Sequence, residues 1–165
     1  MIRRQTVKII KLKCFKDFRG TFVETFNLKK YKKKFNIIFK QDDLSSSKKN
    51  VLRGFHGDNE TWKLLSCVKG KVQFAFINNN YRSKNYKNNF DITISETDNI
   101  QVLVPPKFGT AHLVLSDKAT ISYKQSTYYK LNKQFTISHK SKCLKFKWKS
   151  KKIILSKRDR QGQLL

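Results

Sequence analysis

A thirteen-residue stretch, Val51–Lys63, combines three side chains that together could do chemistry: Arg53, His56 and Lys63. A neutral histidine can accept a proton, and a lysine on a neighbouring strand can stabilise an oxyanion. An arginine nearby can bind a phosphate through two parallel hydrogen bonds. The set suits proton abstraction next to a carbonyl on a phosphorylated substrate. A hairpin with incidental polar residues is the alternative, because a motif of this size is weak evidence by itself.

Two predicted strands, Val51–Phe55 and Trp62–Val68, would position these side chains on either side of a polar turn. Because side chains alternate along a strand, two faces are expected. One face carries Leu52, Gly54 and His56, and the other carries Arg53 and Phe55. On this hypothesis His56 points into the interior of a barrel.

Strands recur at about ten-residue spacing along the rest of the chain, and helical periodicity is almost absent. The pattern predicts an all-β fold, an antiparallel sandwich or barrel with a few short helices, in a single domain over residues 1–165. Further strands are predicted at Thr6–Cys14, Thr21–Phe26, Ile37–Lys40, Lys71–Ile77, Phe90–Ser95, Gln101–Val104, Ala111–Leu115 and Thr120–Gln125. The other predictions are a turn at 15–20, a short helix at Leu28–Phe35, a polar loop at Leu44–Asn50 and a last strand through Phe146 and Trp148.

Composition limits the class of protein. With 165 residues and 38% hydrophobic content, the chain can bury a substantial core. No apolar run approaches eighteen residues, so no membrane span is expected, and the start Met1–Gln5 lacks the apolar core of a signal peptide. The cysteines, Cys14, Cys67 and Cys143, are odd in number and far apart. They predict reduced thiols in a cytoplasmic protein and no metal site.

A net charge of +26 is the most unusual property of the composition. One interpretation is a polyanionic partner, either nucleic acid or a membrane surface. The other is compositional drift, since 30 of the 37 basic residues are lysines, scattered along a chain that is also rich in Asn and Ile. A nucleic-acid-binding β-domain would interleave aromatic residues with the basic ones. Here the aromatic residues mostly occupy alternating core positions, which favours drift and no specific nucleic-acid partner.

Several collinear motifs between Asp17 and Asp159 resemble the dTDP-4-dehydrorhamnose 3,5-epimerase family. They are Asp17–Glu24, Phe39–Asp43, Leu52–His56, Lys63-Leu64, Val104–Phe108, Leu113–Asp117, Tyr123-Lys124, Tyr128-Tyr129 and Leu155–Asp159. The resemblance implies a cupin-type jelly roll, which is an antiparallel double-sheet barrel. It also implies an isomerase that needs no metal or other cofactor and acts on a nucleotide-activated 4-keto sugar, as a homodimer.

The resemblance also implies roles for individual residues. His56 occupies the position of the general base, Lys63 that of a lysine facing the substrate carbonyl, and Tyr123 that of a proton donor on the opposite face of the sugar. The implied substrate-binding residues are Arg19, Phe22, Glu24, Gln41, Asp43, Arg53, His112 and Tyr129. In the family, the first three of these reach the site of the neighbouring subunit.

Departures from the family pattern bear on activity. Counting back from Trp148 without gaps places Ser141 where the family has an aspartate that supports the base, and this predicts impaired or single-centre catalysis. The family's Gly-Phe-Ala-His-Gly-Phe run is replaced by a segment that ends in His112, so the imidazole moves two places and stays on the same face. Asp43 replaces a common Asn. The turn Gly57–Trp62 resembles a branch acting on GDP-bound 4-keto heptoses for capsular polysaccharide.

Overall fold

The computed structural model of the protein describes residues 6–165. The stretch Met1–Gln5, on which the signal-peptide expectation depends, lies outside the described residues. Twelve strands and two helices follow one another: β1 Lys8–Lys11, β2 Cys14–Asp17, β3 Gly20–Val23, α1 Leu28–Phe35, β4 Gln41–Lys48, β5 Leu52–Gly57, β6 Lys63–Lys69, β7 Lys71–Asn78, β8 Asn89–Ser95, β9 Ile100–Val104, β10 Phe108–Val114, β11 Lys118–Gln125, β12 Phe135–Thr136 and α2 Lys157–Arg160. No helix among these residues is long and apolar enough to cross a membrane.

Two five-stranded sheets form the body of the molecule. Their strand orders are β1-β9-β6-β11-β4 and β12-β5-β10-β7-β8, and β2 and β3 form a separate hairpin. Every pairing within the sheets is antiparallel. The prediction of a cupin-type, antiparallel double-sheet barrel is confirmed.

The main core lies between the two sheets, and β7 shows how the sequence builds it. Alternate β7 residues Val72, Phe74 and Phe76 are fully buried against residues of the facing sheet. Ala75 and Ile77, which point the other way, are also fully buried. Because both faces of β7 are covered, the strand is a nearly continuous apolar run rather than an alternating one.

The second face of β7 is covered by the C-terminal segment, where the predicted last strand is wrong. Trp148 packs against Phe55 with ring centroids 5.8 Å apart, but the backbone around it forms turns and bends. The backbone groups on either side of Trp148 are hydrogen-bonded to a side chain and not to a neighbouring strand. The Gln73 amide donates to the carbonyl of Lys147 and accepts from the backbone N–H of Lys149. The alternating aromatic residues therefore reflect packing on an outer sheet face and not a strand.

Two predictions near β4 are also wrong. The segment Ile37–Lys40 is irregular, and Ile37 is buried in a cluster with Tyr31 of α1 and pairs with no strand among residues 6–165. The supposed polar loop 44–50 is instead mostly strand, since β4 pairs along its whole length with β11. Its alternate residues, from Gln41 to Ser47, face inward although they are polar. Polarity hid this strand because its inner face lines a cavity rather than the apolar core.

Other local predictions hold more closely. The helix α1 has the predicted bounds. The side chain of Asn27 accepts a hydrogen bond from the amide of Lys30 at its start, and Asn36 ends it in the left-handed conformation. The predicted turn at 15–20 is narrower in the structure, because Asp17 is the last residue of β2 and Gly20 is the first residue of β3.

Candidate active site

A cavity of about 380 Å³ opens between the two sheets. Its walls come from the inward faces of β4, β5, β6, β10 and β11, closed on one side by the segment around 129–134 and by α2. Every residue that lines it has a side chain with a polar group: Gln41, Asp43, Arg53, His56, Lys63, Thr110, His112, Tyr123, Gln125, Tyr129, Gln134 and Arg158. All three predicted catalytic residues and five of the eight predicted substrate-binding residues therefore meet in one place.

Arg53 and His56 line the same cavity, which strict alternation along β5 did not predict. Across the pairing with β10, His56 lies opposite Thr110 and Arg53 opposite His112, so the two residues between them on β5 face a single residue on β10. Such a bulge turns two side chains toward the same face. Gly54 sits inside it at φ +114°, and a Cβ there would lie only 2.3 Å from the carbonyl oxygen of Thr110. The prediction that Arg53 and His56 lie on different faces of β5 is therefore wrong.

His56 is paired with a buried carboxylate. Its Nε2 lies 2.7 Å from Oδ1 of Asp159, whose side chain is only 3% exposed. Oδ1 also accepts from the amide of Gly54, and Oδ2 accepts from the hydroxyl of Ser156, which caps α2. Burial alone would raise the pKa of Asp159, but the hydrogen bonds from His56 and Ser156 prevail and lower it to about 2. The carboxylate therefore stays ionised and can stabilise an imidazolium on His56.

Lys63 presents a buried amine to the same cavity. The residue is 8% exposed, and its Nζ lies 3.4 Å from the carbonyl oxygen of His56. Burial lowers the pKa of Lys63 to about 8, an effect that Asp58 opposes and Arg158 reinforces. The amine is thus a cation near neutral pH, but one whose charge can be lost in mildly alkaline solution.

Tyr123 faces His56 from the other sheet. It lies on β11 between Asp43 of β4 and Leu65 of β6, whereas His56 belongs to the sheet that contains β10. Burial raises the pKa of Tyr123, so its phenol keeps its proton. Tyr129, the second predicted tyrosine, accepts a hydrogen bond from Arg158 at 3.2 Å on the cavity wall. A base and an acid on opposite walls are what inversion at a carbon requires.

Asp43 is held by amides rather than by cations. Gln41 donates to both of its carboxylate oxygens at 3.0 Å, and Gln125 donates to Oδ2 at 2.7 Å. Arg53 donates from Nε to the hydroxyl of Ser47 at 3.0 Å, which leaves its two terminal guanidinium nitrogens available to a ligand. The cavity therefore holds fixed hydrogen-bonding groups with cations at Arg53, Lys63 and Arg158.

Comparison with known proteins agrees with this geometry. The family model for dTDP-4-dehydrorhamnose 3,5-epimerase matches residues 3–165. The chain belongs to the dTDP-4-dehydrorhamnose 3,5-epimerase family. The dTDP-4-dehydrorhamnose 3,5-epimerase of Shigella flexneri is 32% identical over 95% of this chain and 90% of its own length. The prediction of an isomerase that acts on nucleotide sugars is thereby confirmed.

Solved structures are similar over almost the whole chain. The dTDP-6-deoxy-D-glucose-3,5-epimerase of Legionella pneumophila, in complex with dTDP-4-keto-L-rhamnose, is 30% identical with a TM-score of 0.91, over 96% of this chain and 87% of that one. The dTDP-4-dehydrorhamnose 3,5-epimerase of Bacillus anthracis, with TDP and pyrophosphate bound, is 26% identical with a TM-score of 0.92, over 96% and 94%.

The prediction that Ser141 occupies the position of the carboxylate beside His56 is wrong. Its hydroxyl is buried, donates to the carbonyl of Ser138 and accepts from the amide of Leu165. The gap-free count failed because the C-terminal segment is irregular, which makes spacing from Trp148 meaningless. Asp159 is the partner that the sequence analysis missed, although the motif Leu155–Asp159 was already among the matches.

His112 lies in the cavity, as expected from its two-residue displacement. Gln125, Gln134 and Arg158 also line the cavity and were not predicted to do so. Only the order of the family motifs could have indicated Arg158. The described residues contain no group of three or more His, Cys, Asp or Glu side chains that could hold a metal ion.

Three predicted substrate-binding residues lie away from the cavity of their own chain. Arg19 pairs with Asp17 at the tip of the β2-β3 hairpin. Phe22 is 69% exposed on the same hairpin. Glu24 pairs with Lys30 at the start of α1. Within one chain, then, the structure does not bring Arg19, Phe22 and Glu24 to the cavity.

Proposed function

We propose that this protein inverts C3, C5 or both carbons of a nucleotide-activated 4-keto sugar by removing and returning a proton. The observation that carries the proposal is the His56–Asp159 pair, which faces Tyr123 across a cavity that also contains the Lys63 ammonium. A base, an opposed acid and a cation are the three groups that such a reaction needs.

The steps follow from these positions. The C4 ketone acidifies the hydrogen on the neighbouring carbon, and a ring nitrogen of His56 takes that proton while the electron pair moves to O4. The Lys63 ammonium stabilises the enolate oxygen that forms. Asp159 stabilises the imidazolium. Tyr123 then donates its proton to the carbon from the opposite face, the ketone is restored and the configuration is inverted, after which solvent exchange resets both residues.

Charge around the cavity supports a substrate that carries a nucleoside diphosphate, which stays attached to the sugar and does not itself react. Arg53 and Arg158 are guanidinium groups on the lining, and such groups bind phosphate oxygens in pairs. The bases considered are thymine, as dTDP-4-keto-6-deoxyhexose, and guanine, as GDP-4-keto-heptose. The names of the matching family and relatives support the first. The resemblance of the turn Gly57–Trp62 supports the second, with a role in capsular or other surface polysaccharide synthesis.

A homodimer is part of the proposal. The β2-β3 hairpin is not part of either five-stranded sheet, and it exposes Phe15, Phe18 and Phe22 to solvent. β4 is the edge of its sheet, and Leu44 on it is 72% exposed. An apolar hairpin and an open edge strand are features that a second copy would cover. The partner's hairpin would then carry Arg19, Phe22 and Glu24 to the mouth of the cavity.

Two alternatives were open from the sequence. Impaired catalysis was expected from Ser141, but that reason falls because Asp159 supplies a carboxylate to His56. Nucleic-acid binding was the less favoured interpretation of the charge. The basic and aromatic side chains that meet outside the cavity do so as separate pairs, such as Lys13 with Phe15 and Arg82 with Tyr81. The three free cysteines suit the cytoplasmic location proposed from the sequence.

Deuterium exchange tests the proposal. The protein is incubated in D2O with dTDP- and GDP-linked 4-keto sugars, and the mass and position of incorporated deuterium are followed. Wild-type protein is expected to exchange at C3, C5 or both with one of these sugars, and His56→Asn is expected not to. A folded wild-type protein that binds these sugars but exchanges neither position would refute the proposed reaction.

A further inference from the structure

His112 is a buried polar side chain that the mechanism above does not use. It lies on β10 with 5% of its surface exposed and lines the cavity. Its ring is packed edge-on to Phe74 at 6.2 Å and tilted against Tyr123 at 6.5 Å. Its Nε2 is buried and has no hydrogen-bond partner among the described residues. Buried polar atoms are nearly always hydrogen-bonded, so an unpartnered one beside a cavity is a place where a ligand atom or a water can bind.

The imidazole of His112 is neutral. Burial lowers the pKa of His112 to about 3; the positive charge of Arg53, and that of His56 whenever it is protonated, adds to this, while Asp159 opposes it. A neutral imidazole has one donor and one acceptor nitrogen. It is therefore poorly suited to remove a proton from carbon or to bind a phosphate, but it can exchange a hydrogen bond with a neutral group that both donates and accepts.

The position of His112 narrows the choice of that group. In the pairing of β11 with β6, Gln125 lies opposite Lys63 and Tyr123 lies opposite Leu65, two residues further along β6. His112 contacts Tyr123, so it lies deeper along β6 than Lys63 does. The ketone oxygen is assigned to Lys63, and the phosphates have guanidinium groups available. Of the groups on the sugar itself, a hydroxyl is the one that both donates and accepts a hydrogen bond, as the neutral imidazole of His112 requires.

We propose that His112 is a specificity-determining residue that hydrogen-bonds one hydroxyl of the sugar at the inner end of the cavity. This inference rests on the proposed function, because it requires that the cavity hold a 4-keto sugar. The substrate class is accordingly a 4-keto sugar with a hydroxyl at that point, as opposed to one that presents only carbon there.

The resembling family offers a matched variant. In its Gly-Phe-Ala-His-Gly-Phe run the last residue, a phenylalanine, falls at the position of His112. A phenyl ring fills much the same space as an imidazole but forms no hydrogen bond with a hydroxyl. His112→Phe therefore removes the polar contact while it preserves the ring packing against Phe74 and Tyr123. His112→Gln places an amide near the lost Nε2 and should restore the hydrogen bond.

The test combines these variants with mono-deoxy analogues of whichever 4-keto sugar the wild-type protein exchanges. Loss of one neutral hydrogen bond should raise the KM of His112→Phe about tenfold, with the smaller part of the change in kcat, and His112→Gln should recover most of it. One deoxy analogue should raise the KM of the wild-type protein by the same factor and leave the KM of His112→Phe unchanged. Affinity for dTDP or GDP alone serves as the control and should be the same in all three proteins.

Two results would overturn the inference. One is an unchanged KM in His112→Phe, and the other is a set of deoxy analogues that all weaken wild type and His112→Phe equally. A purely structural role would instead lower nucleotide affinity and melting temperature together, without coupling to any one hydroxyl, and it too would overturn the inference. If His112→Phe does not fold, the comparison of wild type with His112→Gln across the same analogues decides. Failure of the proposed function is distinguishable, because wild-type protein would then exchange no sugar at all.

Discussion

Replacing Asp159 with asparagine should test the charge of the His56–Asp159 pair separately from its geometry. The amide of Gly54 donates to Oδ1, so an asparagine would keep its oxygen there, facing both Gly54 and His56. Its nitrogen would take the place of Oδ2 and donate to Ser156, whose hydroxyl can accept. The orientation of the imidazole is thereby retained, and only the negative charge beside it is lost.

The magnitude follows from the carboxylate itself. The surroundings of Asp159 lower its pKa from 3.8 to about 2. At ~1.4 kcal/mol for each tenfold change, this is a preference of ~2 kcal/mol for the ionised form in a side chain that is almost fully buried. If a comparable interaction of ~2 kcal/mol stabilises the imidazolium in the transition state, its loss should slow exchange roughly 30-fold. Asp159→Ala also loses the orientation of the ring, so its rate should fall further, toward the ~10²- to 10⁴-fold cost of losing a positioned base.

Initial rates of deuterium incorporation at saturating sugar measure both effects, with sugar affinity measured in parallel. Ser141→Ala is the matched control, because its hydroxyl contacts only the backbone of Ser138 and Leu165, and its exchange rate should stay within about twofold of wild type. An Asp159→Asn rate equal to wild type would refute the role of the carboxylate. A rate as low as that of Asp159→Ala would refute the argument that Gly54 fixes the amide.

Further outcomes are expected from the same structure. His56→Asn should abolish exchange at every carbon with little change in sugar affinity, since a base acts in the transition state; exchange at the wild-type rate would exclude His56 as the base. Because the pKa of Lys63 is lowered to about 8, the ammonium is lost as pH rises, so kcat should fall above about pH 8, and a flat profile to pH 10 would contradict the assigned role. Sedimentation in about 200 mM salt, which screens the +26 charge, should give twice the chain mass of 19.5 kDa; a monomer that still exchanges sugar would argue against a shared site. Binding to random DNA should weaken steeply with salt and show no fixed stoichiometry, whereas tight stoichiometric binding at physiological salt would favour a nucleic-acid function.

Local signals in the sequence were sufficient for much of the architecture. The helix α1 was predicted with its correct bounds, because a short amphipathic segment with an asparagine at either end is determined mainly by its own residues. The strands with apolar inner faces were found for a similar reason, since alternation reports directly which side is buried. His56, Lys63 and Tyr123 came from motif order, and the structure brings all three to one cavity.

What the sequence did not indicate depends on contacts between distant segments. The side on which Arg53 lies is decided by the bulge opposite Thr110 and His112, which are more than fifty positions away. The partner of His56 is 103 positions further along the chain, on a four-residue helix held by its cap at Ser156. Neither periodicity nor spacing carries that information when the intervening segment is irregular.

The strand β4 shows why the least predictable element belongs to the site. A strand is recognised from sequence when one of its faces is apolar, and β4 has no such face, because its inward residues Gln41, Asp43, Ser45 and Ser47 are all polar. In a core those groups would be costly, yet here Asp43 is bonded to two amides and Ser47 to Arg53. Polar inward residues are tolerated where a cavity or a hydrogen-bonding network takes the place of apolar contacts. An apparent polar loop that pairs as a strand is therefore itself evidence for a binding cavity at that end of the barrel.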